Sequence, residues 1–210
     1  MPALRRLLQD SKKGFEWPNG IPGYSLDSTS QGPEDDTGVG SAKIWPPVQY
    51  LVQQGFKQYH EWLVAQEVAE RYFNAVVKAY MNTKMIREAL NATKPEFDGH
   101  KDFVGWGGLA PIGNFIEYIL GFDVDVPQKT IVWHVQRKER HGLQHLKIGD
   151  FYVDLLCDAR AAADAPCHLT VTSGGAFALQ TVVAEKVVHH RIQEGRSLWR
   201  RGSTGGLHRT

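Results

Sequence analysis

The densest cluster of acidic side chains in the chain is Glu34-Asp35-Asp36. Neighbouring carboxylates can bind Ca²⁺ or act as an acid–base pair. A calcium loop of the EF-hand kind needs its oxygen ligands at fixed alternate positions, and this run does not have that spacing. The run therefore predicts an acidic turn.

Sulfur and imidazole groups are sparse. The sequence has two cysteines, Cys157 and Cys167, and neither stands in a CxxC or Cys/His spacing. This number argues against a disulfide framework, although one bridge closing the short loop between them stays open. His141 and the pair His189-His190 are scattered. The sequence therefore predicts neither a metal nor a cofactor.

No anionic partner is indicated. The formal net charge is +1, so no global field attracts nucleic acid or an anionic membrane. The segment 38–43 is glycine-rich but lacks the Gly-Lys-Ser/Thr ending of a phosphate loop. Arg196, Arg200 and Arg201 form a weak basic patch with Trp199, which without a nucleic-acid motif predicts a solvated tail.

Composition and apolar runs bound the class of protein. The 210 residues are 42% hydrophobic and 22% charged, as in ordinary globular proteins. There is no run of about 18 apolar residues, as a membrane-spanning helix would need. The start, Met1 to Leu8, has a basic pair but no apolar core of signal-peptide length. We therefore expect a cytoplasmic protein.

Helical periodicity dominates the middle of the chain. Residues 1–43 are rich in turn dipeptides and predict an irregular segment. Pro46-Pro47 opens a first predicted helix, and apolar residues at intervals of four predict a second one. These residues are Val64, Val68, Tyr72, Val76 and Tyr80. A third helix is predicted from about Pro111 to Leu120, with Gly121 as its C-cap glycine.

From Thr130 the apolar period changes to two, which indicates strands. The predicted strands lie at 131–135, 146–148, 151–156, 168–172 and 176–182, and Gly149-Asp150 forms a hairpin turn. The fold class predicted is therefore mainly α, with a small antiparallel β-unit after the helices. The predicted limits are 1–43 irregular, 44–127 helical, 128–195 β-unit and 196–210 disordered tail.

Several segments carry motifs that resemble one enzyme family, in the family's order. Ile44-Trp45-Pro46-Pro47-Val48-Gln49-Tyr50-Leu51-Val52-Gln53-Gln54-Gly55 resembles the G-V-W-A-P-T-N-Y-M-V-x-x-G segment of glycoside hydrolase family 63 and its trehalase-like relatives, such as mannosylglycerate hydrolase-like proteins. Lys101-Asp102-Phe103-Val104-Gly105-Trp106-Gly107-Gly108-Leu109-Ala110-Pro111-Ile112 resembles their P-D-F-V-G-W-S-G-L-x-P-I. Arg140-His141-Gly142-Leu143 and Val153-Asp154-Leu155-Leu156 resemble E-R-H-G-V and V-D-L-L.

The resemblance implies an (α/α)6 toroid, of which residues 44–127 would form the C-terminal part. It also implies an inverting mechanism, in which one carboxylic acid assists the leaving oxygen and one carboxylate deprotonates water. Alignment on both flanking motifs puts Glu88 at the general-base position. Trp45, Trp106 and Asp102 would line the sugar pocket, and the general acid would lie upstream, outside this chain.

The residues next to Glu88 depart from the family's W-E-N-Y, since Arg87 precedes it and Ala89-Leu90 follows. Alternatives stay open for each candidate. Glu88 also fits a solvated glutamate near a helix end, Trp106 a packed core ring, and Trp45 a staple at a helix start.

The function expected by resemblance is the C-terminal portion of a glycosidase for a small α-glucoside, α-mannoside or oligosaccharide. It would supply the base but not the acid, so we expect the chain alone to be inactive. The alternative is a non-catalytic remnant that binds carbohydrate or oligomerises. Expected partners are a small sugar and the missing toroid half or a second copy of the chain, with no nucleic acid and no membrane.

Overall fold

The computed structural model describes Arg6, Asp10, residues 14–15 and 17–23, Ser25, and residues 43–98, 102–201 and 207–209. The acidic run 34–36, the glycine-rich residues 38–42 and most of the predicted irregular segment lie outside the described residues. The chain divides into two compact units, Met1–Ile119 and Leu120–Thr210.

Two helices form the main body of the first unit, and both predicted helices are confirmed. Helix α1 spans Pro46–Gln58, and its two prolines lie in the first turn, where their missing N–H groups are not needed. Helix α2 spans Trp62–Thr83 and ends at Lys84, which has a left-handed backbone with φ of 56°.

The apolar stripe predicted on α2 is confirmed except at its end. Val64, Val68, Tyr72 and Val76 are buried, whereas Tyr80 is 43% exposed. The stripe contributes to two apolar clusters. The first holds the N-terminal half of α2 with Phe56 and Tyr118, and the second joins the C-terminal half to Ile44 and Leu90. The second cluster fixes a small sheet against α2.

This small sheet has the strand order β1-β2-β3, with β1 at Lys43–Ile44, β2 at Ala89–Asn91 and β3 at Phe97–Asp98. A 3₁₀ turn at Gly105–Gly107 leads to α3 at Ala110–Asn114, which continues as a π-helical turn at Phe115–Ile119. The third predicted helix is therefore present but changes its hydrogen-bond pattern halfway along.

The second unit is built from two sheets. Its strands are β4 (Phe122–Asp125), β5 (Thr130–His134), β6 (His141–Ile148), β7 (Phe151–Cys157), β8 (Cys167–Ser173), β9 (Phe177–Val183), β10 (Lys186–Ile192), β11 (Gly195–Arg201) and β12 (Leu207–Arg209). The sheet orders are β10-β9-β5-β4 and β12-β11-β8-β7-β6. All five predicted strands are confirmed, and Gly149-Asp150 is the β6–β7 turn, with φ of 61° at Gly149.

The predicted fold class, mainly α, is wrong. Within the described residues three α-helices have defined bounds, whereas twelve strands form three sheets, so the chain is β-rich. An (α/α)6 toroid is not shown. Two of the strands that could not be predicted from the sequence, β10 and β11, expose polar side chains. β10 is exposed at most positions, and β11 covers the start of the segment predicted as a disordered tail. The predicted domain limits remain predictions.

Polar strands without a strong period of two are held by backbone pairing. β11 pairs with β8 at every residue from Gly195 opposite Ser173 to Arg201 opposite Cys167. Each such pair satisfies backbone donors and acceptors that would otherwise need water. In the part of the chain that the structure describes, no helix is long and apolar enough to cross a membrane, and no three His, Cys, Asp or Glu side chains cluster as metal ligands.

Candidate active site

Glu88 lies in the irregular segment between α2 and β2, directly before the first residue of β2. It is half-buried, whereas Met85 three residues earlier is 47% exposed. The strand that follows is fully anchored, because Ala89 is paired with Asp98 and Leu90 with Phe97 on one side and Ile44 on the other. The backbone of Glu88 is therefore held by the strand that it precedes.

Trp45 is the side chain that contacts the Glu88 carboxylate. Its indole Nε1 donates a hydrogen bond to Oε1 of Glu88 over 3.4 Å. Trp45 has an extended backbone at the N-cap of α1, and its carbonyl accepts from the N–H groups of Val48 at 3.1 Å and Gln49 at 3.2 Å. The structure thus brings together two residues that lie 43 positions apart in sequence.

The Gly105–Gly107 turn covers Glu88 from another side. A Cβ added at Gly107 would lie 2.0 Å from the carbonyl oxygen of Arg87 and 3.4 Å from Cα of Glu88. A Cβ at Gly105 would lie 3.3 Å from Cγ of Glu88, and Gly105 has a left-handed φ of 47°. Only glycines permit so close an approach. The turn therefore fits directly against the Arg87–Glu88 backbone.

Trp106 lies between these two glycines and points into solvent, since its side chain is 56% exposed. The alternative of a packed core ring is therefore wrong for Trp106. Phe103 and Leu109 nearby in sequence are 52% and 67% exposed. An exposed apolar edge accordingly follows the turn that contacts Glu88.

Asp102 and Arg87 make no polar link to the candidate base. Asp102 is exposed, and among the described residues no hydrogen bond or ion pair joins it to Glu88. Arg87 is half-buried, and within the same described ranges it forms no ion pair with Glu88. Lys101, the first residue of the second motif, lies outside the described residues.

A buried amide network that the sequence analysis missed anchors α1. Gln49 and Gln53 are both 0% exposed. Gln49 Oε1 accepts from the Ile21 N–H at 2.9 Å, and Gln53 Nε2 donates to Asn114 Oδ1 at 2.6 Å. Gln49 therefore ties α1, with Trp45 at its start, to Ile21, and Gln53 ties it to Asn114 at the end of α3. Two glutamines four residues apart on the buried face were the available signal.

His141, from the third motif, opens β6 in the second unit. Its Nδ1 lies 2.8 Å from the Glu139 carbonyl, which can only accept, so Nδ1 carries the proton. Nε2 is buried without a hydrogen-bond partner among the described residues. Burial lowers the pKa of His141, helped by the charges of Arg160 and Arg137, while the bond to Glu139 opposes the shift. His141 is therefore a neutral core imidazole that packs edge-on against Trp133.

One comparison with known proteins, the match to a family model, agrees with the motif resemblance. The trehalase family model matches residues 9–111, a segment that includes Trp45, Glu88 and Trp106. No curated protein matches the sequence.

The chain is also similar to a solved structure of Ara127N-Se, a GH127 β-L-arabinofuranosidase from Geobacillus stearothermophilus T6. The identity is 12% and the TM-score 0.36, over 95% of this chain and 36% of that one, so the chain spans about a third of that enzyme's length. So low a score carries no weight for fold or function. On this family match, the N-terminal part of the chain is similar to part of a trehalase-like glycosidase of the six-hairpin group.

Proposed function

We propose that the chain is the C-terminal portion of an inverting glycoside hydrolase and that Glu88 is its general base. The observation that carries the proposal is the carboxylate held between the Trp45 indole and the Gly105–Gly107 turn, inside the segment that matches the trehalase family. A general base must be held in a fixed geometry relative to the water that it activates.

The reaction needs two proton transfers. Glu88 takes a proton from water as the water oxygen attacks the anomeric carbon. The glycosidic C–O bond breaks on the opposite face, and a general acid protonates the departing oxygen. In inverting enzymes the two carboxyl groups lie about 6.5–9.5 Å apart, which leaves room for the water. We propose that residues outside this chain supply the acid.

One exposed aromatic side chain favours a sugar as substrate. Trp106 presents an exposed indole beside the turn that contacts Glu88, and such rings stack on the apolar faces of sugars. We therefore propose a small α-glucoside, α-mannoside or oligosaccharide as the substrate, bound in a site that residues outside this chain complete.

Glycosyl fluorides test the proposal on the chain as it exists. Fluoride leaves without protonation, so a chain with the base but no acid should hydrolyse α-glucosyl or α-mannosyl fluoride while leaving α-glucosides and α-mannosides intact. Glu88→Gln should abolish fluoride release above the buffer rate. Glu67→Gln is the matched control, because Glu67 is exposed on α2.

Two results would contradict the proposal. Release that continues unchanged in Glu88→Gln would mean that another group is the base. If this chain hydrolyses ordinary α-glycosides and no substitution of Glu88 abolishes that turnover, both the general base and the general acid have been misassigned.

A specific observation also supports the alternative of a non-catalytic association module. Large apolar side chains of the first unit are strongly exposed, including Leu51, Leu63, Met81, Leu109 and Ile112 at 57–69%. Exposed apolar side chains in such number are typical of contact surfaces. We propose that a partner chain that completes the site, or a second copy of this chain, covers them. Failure of the fluoride test would favour this alternative.

A further inference from the structure

We propose that Trp45 is the positioning residue of Glu88, holding Oε1 of the carboxylate through its indole N–H. The sequence analysis assigned Trp45 to the sugar-facing wall of the pocket. The hydrogen bond of 3.4 Å between Nε1 and Oε1 gives it a second and more direct role. The catalytic part of this inference rests on the proposed function, whereas the contact itself does not.

The backbone on both sides of the Trp45 indole is held in place. Trp45 follows β1, in which Lys43 pairs with Asn91 and Ile44 pairs with Leu90. Continuing this antiparallel register places Trp45 opposite Ala89, next to Glu88. On its other side Trp45 is followed by Pro46-Pro47, whose rings restrict the backbone. The backbone that carries the indole is therefore held by a sheet before it and a helix start after it.

Glu88, the hydrogen-bond partner of the indole, is also held in place. The backbone at Arg87 and Glu88 is enclosed by Gly107, and the Glu88 side chain touches the turn at Gly105, as their virtual Cβ distances show. The sheet register and the glycine turn thus fix the glutamate backbone, and the Trp45 N–H fixes the end of its side chain. The 3.4 Å contact with the indole therefore adds a restraint at one carboxylate oxygen.

Oε2 of Glu88 is the carboxylate oxygen that is available to take the proton. Among the described residues no group donates to Oε2 of Glu88, since its only hydrogen bond there is the one to Trp45. In the proposed reaction the proton from water then goes to Oε2. Oε1 remains bound to the indole throughout, so Trp45 takes no proton and breaks no bond.

The contact is tested by NMR of the indole N–H signals of the full chain. Trp45→Phe identifies the Trp45 resonance by its disappearance. That resonance should shift in Glu88→Gln, which replaces the charged acceptor with a neutral one, and should stay in place in Glu67→Gln. If the Trp45 resonance does not shift in Glu88→Gln, the proposal is overturned, whether or not the chain releases fluoride.

Kinetics test the positioning role. Trp45→Phe should lower kcat for Glu88-dependent fluoride release about tenfold, as expected for loss of a hydrogen bond to a charged group, with KM nearly unchanged. Trp17→Phe is the matched control, because the Trp17 indole N–H is buried without a hydrogen-bond partner among the described residues. A change in KM alone would show a sugar-stacking role and overturn positioning. Absence of release in every protein, with the NMR response intact, would refute the proposed function but not the contact.

Discussion

Replacing Gly107 by alanine tests how the glycine turn positions Glu88. The new Cβ would lie 2.0 Å from the carbonyl oxygen of Arg87, whereas a carbon and a carbonyl oxygen in contact lie at least about 3.3 Å apart. The turn or the Arg87–Glu88 backbone must therefore move by about 1.3 Å. Gly107 has no left-handed φ, so the conflict is purely steric.

Two consequences follow from this displacement. Forced overpacking destabilises proteins by about 1–3 kcal/mol, so Gly107→Ala should lower the free energy of unfolding of the first unit by that amount. A shift of about 1 Å in a reacting group can reduce a rate about a hundredfold, so Glu88-dependent fluoride release should fall on that scale.

Urea unfolding followed by the helical circular dichroism signal reports on the first unit, because all three described helices with defined bounds lie there. Gly55→Ala is the matched control. It lies inside α1 with nothing within 4 Å of a Cβ, so alanine should stabilise by about 0.5–1 kcal/mol. If Gly107→Ala were as stable and as active as the parent chain, the close packing of the turn on Glu88 would be refuted.

Three further predictions concern other parts of the chain. The folded-state pKa of His141 lies below the ordinary 6.5, so the unfolded chain binds more protons. The stability that His141 contributes is complete above pH 6.5 and is lost as the pH falls through its folded-state pKa. The urea midpoint should therefore fall with pH in the parent chain and in His189→Asn, and should fall less in His141→Asn. A hydrogen bond that the Cys157 thiol donates to Cys167, and then burial, raise the pKa of Cys157, so a thiol-specific reagent should react slowly with the folded chain and rapidly with both cysteines in denaturant. One fast thiol in the folded chain would contradict this. Exposed Leu51 and its apolar neighbours should make the chain self-associate in a concentration-dependent way on size-exclusion chromatography, less so in Leu51→Ser; a monodisperse monomer would count against it.

Elements with a strong apolar period could be predicted from the sequence. Helices α1 and α2 and the five strands from β5 to β9 carry clear periods of 3.6 or two, and the structure confirms them. The β-rich balance could not be predicted. Strands β10 and β11 expose charged and polar side chains, and β11 pairs with β8, which is distant in sequence, whereas β10 pairs with its hairpin neighbour β9.

The candidate site was predictable only in part. The motifs identified Trp45, Glu88 and Trp106 as candidates for one site. The hydrogen bond between the indole and the carboxylate could not be predicted, because it depends on the β1–β2 register, which joins segments more than 40 positions apart. The buried Gln49 and Gln53 escaped notice because glutamine is usually a surface residue. Asp102 was placed near the pocket by resemblance alone, and its assignment there remains a prediction.

The most direct test of Glu88 as the base is the anomeric configuration of the first sugar released from an α-glycosyl fluoride. Water activated by Glu88 attacks opposite the leaving fluoride, so proton NMR of the parent chain should show the β-anomer forming first, and Glu88→Gln should show no product beyond buffer hydrolysis. An α-anomer formed first, or the same β-anomer at an unchanged rate in Glu88→Gln, would contradict the account.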